Sequence, residues 1–130
     1  MAKMRKLSVD AGTRITVDLT NASVSAGDPF TIANGTGHAA AAADGGVVHG
    51  VFVEDGAASA TGIVGEVIKE GQIWQVTVSG LSSKAGTKLV AAGSGAFDEG
   101  TASDPSLGIV LKDLATTDTT AEILILRETV

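Results

Sequence analysis

The chain has no cysteine among its 130 residues. That excludes a disulfide framework and any thiolate metal site. Tyrosine is absent too, and Trp74, Phe30, Phe52 and Phe97 are the only aromatic residues. So few rings leave little material for the exposed aromatic cluster that a carbohydrate-binding surface uses. No stretch approaches the roughly 20 apolar residues of a membrane helix. The start, MAKMRKLSV, carries charge but no apolar run of the secretory-signal kind. The chain therefore reads as made and used in the cytoplasm, or assembled there into something larger, with no membrane partner.

Basic charge is missing from the first half of the body. No Lys or Arg occurs from residue 15 to residue 68, whereas Asp18, Asp28, Asp44, Glu54, Asp55 and Glu66 do. Lys3, Arg5, Lys6 and Arg14 precede that gap, and the net charge is −6. A short basic arm thus leads an acidic body, which argues against nucleic-acid binding through a broad basic face. The length suits one domain with a modest core. The 44% hydrophobic content includes twenty alanines, each with little apolar area. A domain this poor in large side chains is expected to bury further surface against copies of itself or a partner.

What the chain does have is glycine, 17 residues of it, among many Val, Ile and Thr. That composition predicts short strands between tight turns. Residues 15–19 alternate, with Ile15, Val17 and Leu19 on one face. Further strands are expected at 29–32, 47–53, 72–79, 88–92, 108–111 and 121–126. Trp74, Val76 and Val78 share a face and read as core. Residues 123–126, Ile-Leu-Ile-Leu, do not alternate, so that strand is expected to be covered on both sides. Residues 39–43 have helical propensity but are too short to nucleate alone, so little helix is expected.

An internal repeat runs through these strands. SAGDPFTIANGTG (25–37) parallels KAGTKLVAAGSG (84–95), and HGVFVEDGA (49–57) parallels LGIVLKDLA (107–115). Gly27 to Gly50 is 23 positions and Gly86 to Gly108 is 22. After each second motif the reading places a polar stretch and an apolar strand, at 73–78 and 123–126. Two similar β-units that cover each other and close a small barrel or sandwich account for this. In each unit a glycine, Gly27 or Gly86, supplies the positive φ of a turn into a strand, and Asp28 or Thr87 follows it to bond a nearby N–H. The expected architecture is all-β, with an N-terminal arm over 1–14 that is flexible and a single barrel-like domain over 15–130.

Chemistry is hard to find. His38 and His49 lack the spacing of a metal site, and no cofactor is implied. The adjacent acids Glu54-Asp55 and Asp98-Glu99 sit beside glycines and read as turn caps. GTGHAA (35–40) fits a loose dinucleotide fingerprint but leads into Gly45-Gly46 and another strand, not a helix. GSGAFDEG (93–100) lacks the P-loop lysine. The sequons at Asn21 and Asn34 carry no meaning without secretion. No catalytic residue is assigned; a hydrolase built on paired carboxylates is the enzymatic alternative.

SAGDPFTI, GVFVEDGA, IWQVTVSGLSSKAGTKLVAAGSGAF and LGIVLKDLATTDTTAEILIL, taken together over 24–126, resemble a family of bacteriophage capsid decoration (cement) proteins. The ending corresponds to Gly108-Ile109-Val110, then residues 117–120 and 123–126; Thr87 departs from the pattern, which has Asp there. The resemblance implies a non-enzymatic protein with a small β-tulip or barrel core, similar in role to the lambda-type head-decoration proteins. It implies a homotrimer on the outer surface of the expanded capsid, bridging major capsid protein subunits, and so a virion location. By position, residues 2–9 would be the capsid-binding arm, with Lys3, Arg5 and Lys6 meeting acidic groups and Met4 and Leu7 packing. Gly27, Asp28, Gly86 and Gly108 would be structural turns, and the last hairpin would close the barrel and help bury the trimer seam. The alternative in another class is a small β-domain of a tail, fibre or other surface structure that binds protein or carbohydrate.

Overall fold

A computed structural model describes residues 3–130. These residues form strands and no helix, which is the all-β class expected. One sheet holds β2 (Thr13–Val17), β3 (Pro29–Ile32), β4 (Ala39–Ala41), β5 (Gly50–Phe52) and β6 (Ile63–Val67), in the order β2-β6-β5-β3-β4. The other holds β7 (Ile73–Thr77), β8 (Lys88–Gly93), β9 (Ala96–Asp98), β10 (Pro105–Val110) and β11 (Thr120–Thr129), in the order β7-β11-β10-β8-β9. Advancing every label of the first sheet by five gives the second. Each sheet curls into an uneven ring. Its outer strands meet only at a parallel bridge, Leu19 with Ala39 in the first and Thr77 with Ala96 in the second.

The turns repeat along with the strands. Gly27 (φ 89°) and Gly86 (φ 91°) are both left-handed, where a side chain would be strained. The Gly27 N–H donates to the Phe52 carbonyl and the Gly86 N–H to the Val110 carbonyl, each at 2.7 Å. The Ala26 N–H donates to the Asp55 carboxylate and the Ala85 N–H to Asp113, each at 2.8 Å. Asp28, 6% exposed, accepts from the Ser25 N–H at 2.9 Å. In the second unit Thr87 makes backbone contacts, its N–H donating to the Lys84 carbonyl and its carbonyl accepting from the Val110 N–H. The Asp28 backbone makes the same two contacts, with Ser25 and Phe52, so the units share the backbone turn and the first adds the Asp28 side-chain bond.

One part of the repeat differs from expectation. The strand that answers β11 is β6, not residues 73–78. β6 pairs with β2 through Ile15↔Gly65, as β11 pairs with β7 through Trp74↔Ile123. Residues 73–78 open the second ring and answer residues 14–19. Gly65 hides β6 in the sequence, and packing explains it. A Cβ on Gly65 would lie 2.6 Å from the Phe30 ring, and one on Gly50 would lie 2.5 Å from it. The first ring has one large residue, Phe30, facing two glycines. The second has Leu89 facing Gly108, with Ile123 where the first has Gly65, so the bulk is distributed differently in the two rings.

Two cores result. Phe30, Phe52, Val17, Leu19, Val24 and Ala39 fill the first ring, with the Phe30 and Phe52 rings tilted at a centroid distance of 4.7 Å. The larger core fills the second ring and continues into the seam between rings, where Met4, Ala42, Val48, Val51 and Ile68 join Trp74, Ala91 and Ile125. Trp74 is core, as read from its alternation.

The N-terminal arm is the main correction. Residues 3–7 are not a free arm. β1 (Arg5–Lys6) adds to the outer edge of β7, antiparallel, with Arg5 opposite Gln75 and Lys6 opposite Trp74. Met4, 5% exposed, enters the seam core, and its N–H donates to the Gly27 carbonyl at 2.8 Å. Composition suggested a solvated terminus because the segment is basic. The open edge of β7 and a methionine-sized gap in the seam outweigh that charge. Residues 1 and 2 lie outside the described residues.

Candidate interaction surfaces

The N-terminal strand divides its side chains between the fold and the solvent. Lys6 faces inward, with Nζ 2.7 Å from Glu66 Oε2 and 3.7 Å from Asp10 Oδ1. The hydrogen bond to Glu66, then the fields of Glu66 and Asp10, hold the Lys6 pKa above its ordinary value, against the opposing effect of burial. Asp10 extends the network. It accepts from Gln72 Nε2 at 2.9 Å and from Ser8 Oγ at 3.1 Å. Gln72 in turn accepts from the Trp74 indole N–H at 2.9 Å and the Lys69 N–H at 3.0 Å. Gln72, Ser8 and Lys6 together depress the Asp10 pKa below that of a free carboxylate. A continuous polar path therefore runs from Trp74 through Gln72, Asp10 and Lys6 to Glu66, tying the N-terminal strand to both rings.

Of the expected arm residues, Met4 and Lys6 are therefore spent inside the protein. Leu7 is half-buried, its N–H donating to the Ile73 carbonyl at 2.8 Å. Lys3 and Arg5 are the two exposed members. Lys3 lies against Gly27, where an added Cβ would come within 2.7 Å of the lysine chain. Gly108 is a close approach, not a turn. A Cβ there would collide with the Leu124 carbonyl.

A second surface was not legible in the sequence. The mouth of the first ring opens as a cleft of about 1040 Å³. It is lined by Ile15, Ile32, Val47, Val67 and the β3–β4 hairpin (33–37), with the edge of Ile68. His49 and Arg127 are the ionisable groups in its lining, and no acid is there. Arg127 reaches across the seam, donating to the Val48 carbonyl and, at 3.2 Å, to the Ile68 carbonyl. Its burial lowers its pKa from the usual value, with Glu70 opposing. His49 Nδ1 accepts from the Ile32 N–H at 2.9 Å, which places the ring proton on Nε2. Burial, then the Arg127 charge, push the His49 pKa down. His38 is exposed and distant in role, its carbonyl closing the β3–β4 hairpin through the Ala33 N–H.

Among the described residues no group of three or more His, Asp or Glu is placed to hold a metal ion. Of the two adjacent acid pairs, three members accept from backbone groups and Glu99 accepts from the Ser83 hydroxyl. Glu54 accepts from the Val64 N–H, Asp55 from Ala26 and Asp98 from Gly100. All four aromatic side chains are inside, at 3% exposure or less. Compared with known proteins, the chain matches no family model and no curated protein sequence.

Proposed function

We propose that this chain is a bacteriophage capsid decoration protein. It binds the outer surface of the expanded capsid as a trimer, bridges major capsid protein subunits and performs no catalysis. One observation carries the reading: the segments that resemble that family fall on equivalent elements of the two rings. SAGDPFTI and KAGTKLV form the turn and strand into β3 and β8, and GVFVEDGA and LGIVLKDLA form β5 and β10 with their braced turns. The resemblance thus follows a structural repeat rather than scattered glycines. A ligand-free route to shell stability suits such a body. A protein that binds only the assembled, expanded lattice stabilises it by its binding free energy, and several weak contacts on one oligomer add through effective concentration. The buried rings offer no stacking surface to the carbohydrate-binding alternative.

On this reading the exposed cations of the N-terminal segment, Lys3 and Arg5, meet acidic groups of the shell. The test is co-sedimentation with expanded and unexpanded capsids of the phage that encodes the chain. Binding to expanded capsids alone is expected, and the Lys3→Glu/Arg5→Glu double variant should pellet several-fold less. Absence of the wild-type chain from the expanded-capsid pellet would reject the proposal. Deleting residues 1–9 is a poor substitute, because it would also remove Met4 and Lys6 from the fold.

A further inference from the structure

The two rings differ in how well their mouths are sealed. Trp74, Ala91 and Ile125 line the mouth of the second ring at 3%, 2% and 0% exposure. The strand registers make Ile15, Ile32 and Val67 their equivalents in the first ring. Those three are partly exposed and line the open cleft.

The second mouth is sealed by the outward face of the first ring. Val51 and Ile68 alternate away from the first core and are buried with Trp74 in the seam. Glu66 lies between them in the ladder, paired with Val51, and takes Lys6. The same positions on the outward face of the second ring are Ile109, Leu124 and Leu126, with Ile109 opposite Leu124 as Val51 is opposite Glu66. All three are aliphatic and partly exposed. This is why residues 123–126 fail to alternate. Ile123 and Ile125 fill the ring, and Leu124 and Leu126 form a second apolar face that none of the described residues seals.

We infer that the outward face of the second ring of one copy seats on the mouth of the first ring of another. The contact repeats between chains the one that the two rings make within a chain. Charge fits the pairing. The outward side of β11 carries Glu122 beside Leu124, whereas the cleft holds Arg127 and no acid. Among the described residues that glutamate pairs with Lys112 (3.8 Å), at the surface, where such a pair contributes little and exchanges readily. Mouth and face are different patches, so the contact is head-to-tail, giving a ring of copies where its rotation closes and an open chain of copies where it does not. This assembly does not depend on the capsid reading.

Complementation between variants of the full chain tests it, read by size-exclusion chromatography with light scattering. Wild type is expected as an oligomer. Leu124→Glu, which spoils the face, and Ile32→Glu, which spoils the mouth, are each expected at the monomer mass of 12.9 kDa. An equimolar mixture of the two retains one intact face and one intact mouth, so it should return a species of twice that mass. Circular dichroism and melting establish that each variant is folded; should a glutamate variant unfold, Leu124→Gln and Ile32→Thr carry the same comparison. A monomeric wild type, variants that keep the wild-type mass, or a mixture that stays monomeric would each overturn the inference.

Discussion

Lys6 and Glu66 meet at 2.7 Å, joining the N-terminal strand to the back of the first ring where it covers the second. Both side chains are mostly buried, 19% and 11% exposed. Lys6→Met would leave the Glu66 carboxylate with its charge and without its ammonium. The expected loss is about 1–3 kcal/mol, discounted from a fully buried pair because some solvent reaches it. The fold raises the Lys6 pKa, so this stabilisation is complete below the ordinary value of 10.5 and lost as pH rises through the raised one. Urea unfolding across alkaline pH should therefore show a decline that Lys6→Met flattens.

Phe30 and Gly65 form a size-matched pair, and Leu89 with Ile123 is the second ring's version of it. Gly65→Ala should cost about 1–3 kcal/mol through overpacking against Phe30. Phe30→Leu should cost about 1–3 kcal/mol by leaving a cavity. The double variant should be more stable than the sum, with a coupling of at least about 0.5 kcal/mol in a denaturation cycle. Strict additivity would mean that the ring does not set the glycine.

Arg127 binds two carbonyls of the first ring from the last strand of the second. Arg127→Met should lower stability by about 1–3 kcal/mol, since Val48 and Ile68 lose a charged donor. Arg127→Lys should recover little, because one ammonium cannot reproduce the guanidinium fork. Thermal melting of the two variants side by side decides it.

His49 accepts the Ile32 N–H through Nδ1, and protonation there would break that bond. Its pKa is lowered in the fold, so its contribution is whole above the ordinary value of 6.5 and is lost as pH falls through the lowered one. Stability measured by urea midpoint should fall on mild acidification, with His49→Gln showing a shallower fall over the same range. The Ile32 amide resonance should shift with the same midpoint.

Much of the fold was readable because its signals are local. The alternation of residues 15–19 and 72–79, the Ala-Gly turns at 26–27 and 85–86, and the repeated spacing of Gly50 and Gly108 all follow from strand period and turn chemistry. β6 escaped notice because Gly65 interrupts it, and the reason for that glycine is a ring 35 positions earlier in the chain. β1 escaped because a two-residue strand carries no period; its partner edge on β7 exists only after the second ring has formed. The cleft at the first mouth escaped for the same reason. Ile15 read as an ordinary core position, and Val67 lies on the strand that Gly65 hides.

By itself the sequence determined that this chain is a doubled, all-β, glycine-punctuated body, since hydrophobic period and turn geometry act over a few residues and are written twice. Which of the two alike rings is sealed, and which keeps an open mouth, was decided only by tertiary structure. Both rings carry the same local pattern, and burial depends on what each face meets: the first ring's back lies on the second ring's mouth, with Met4 and Lys6 closing the gap, and none of the described residues does the same for the first.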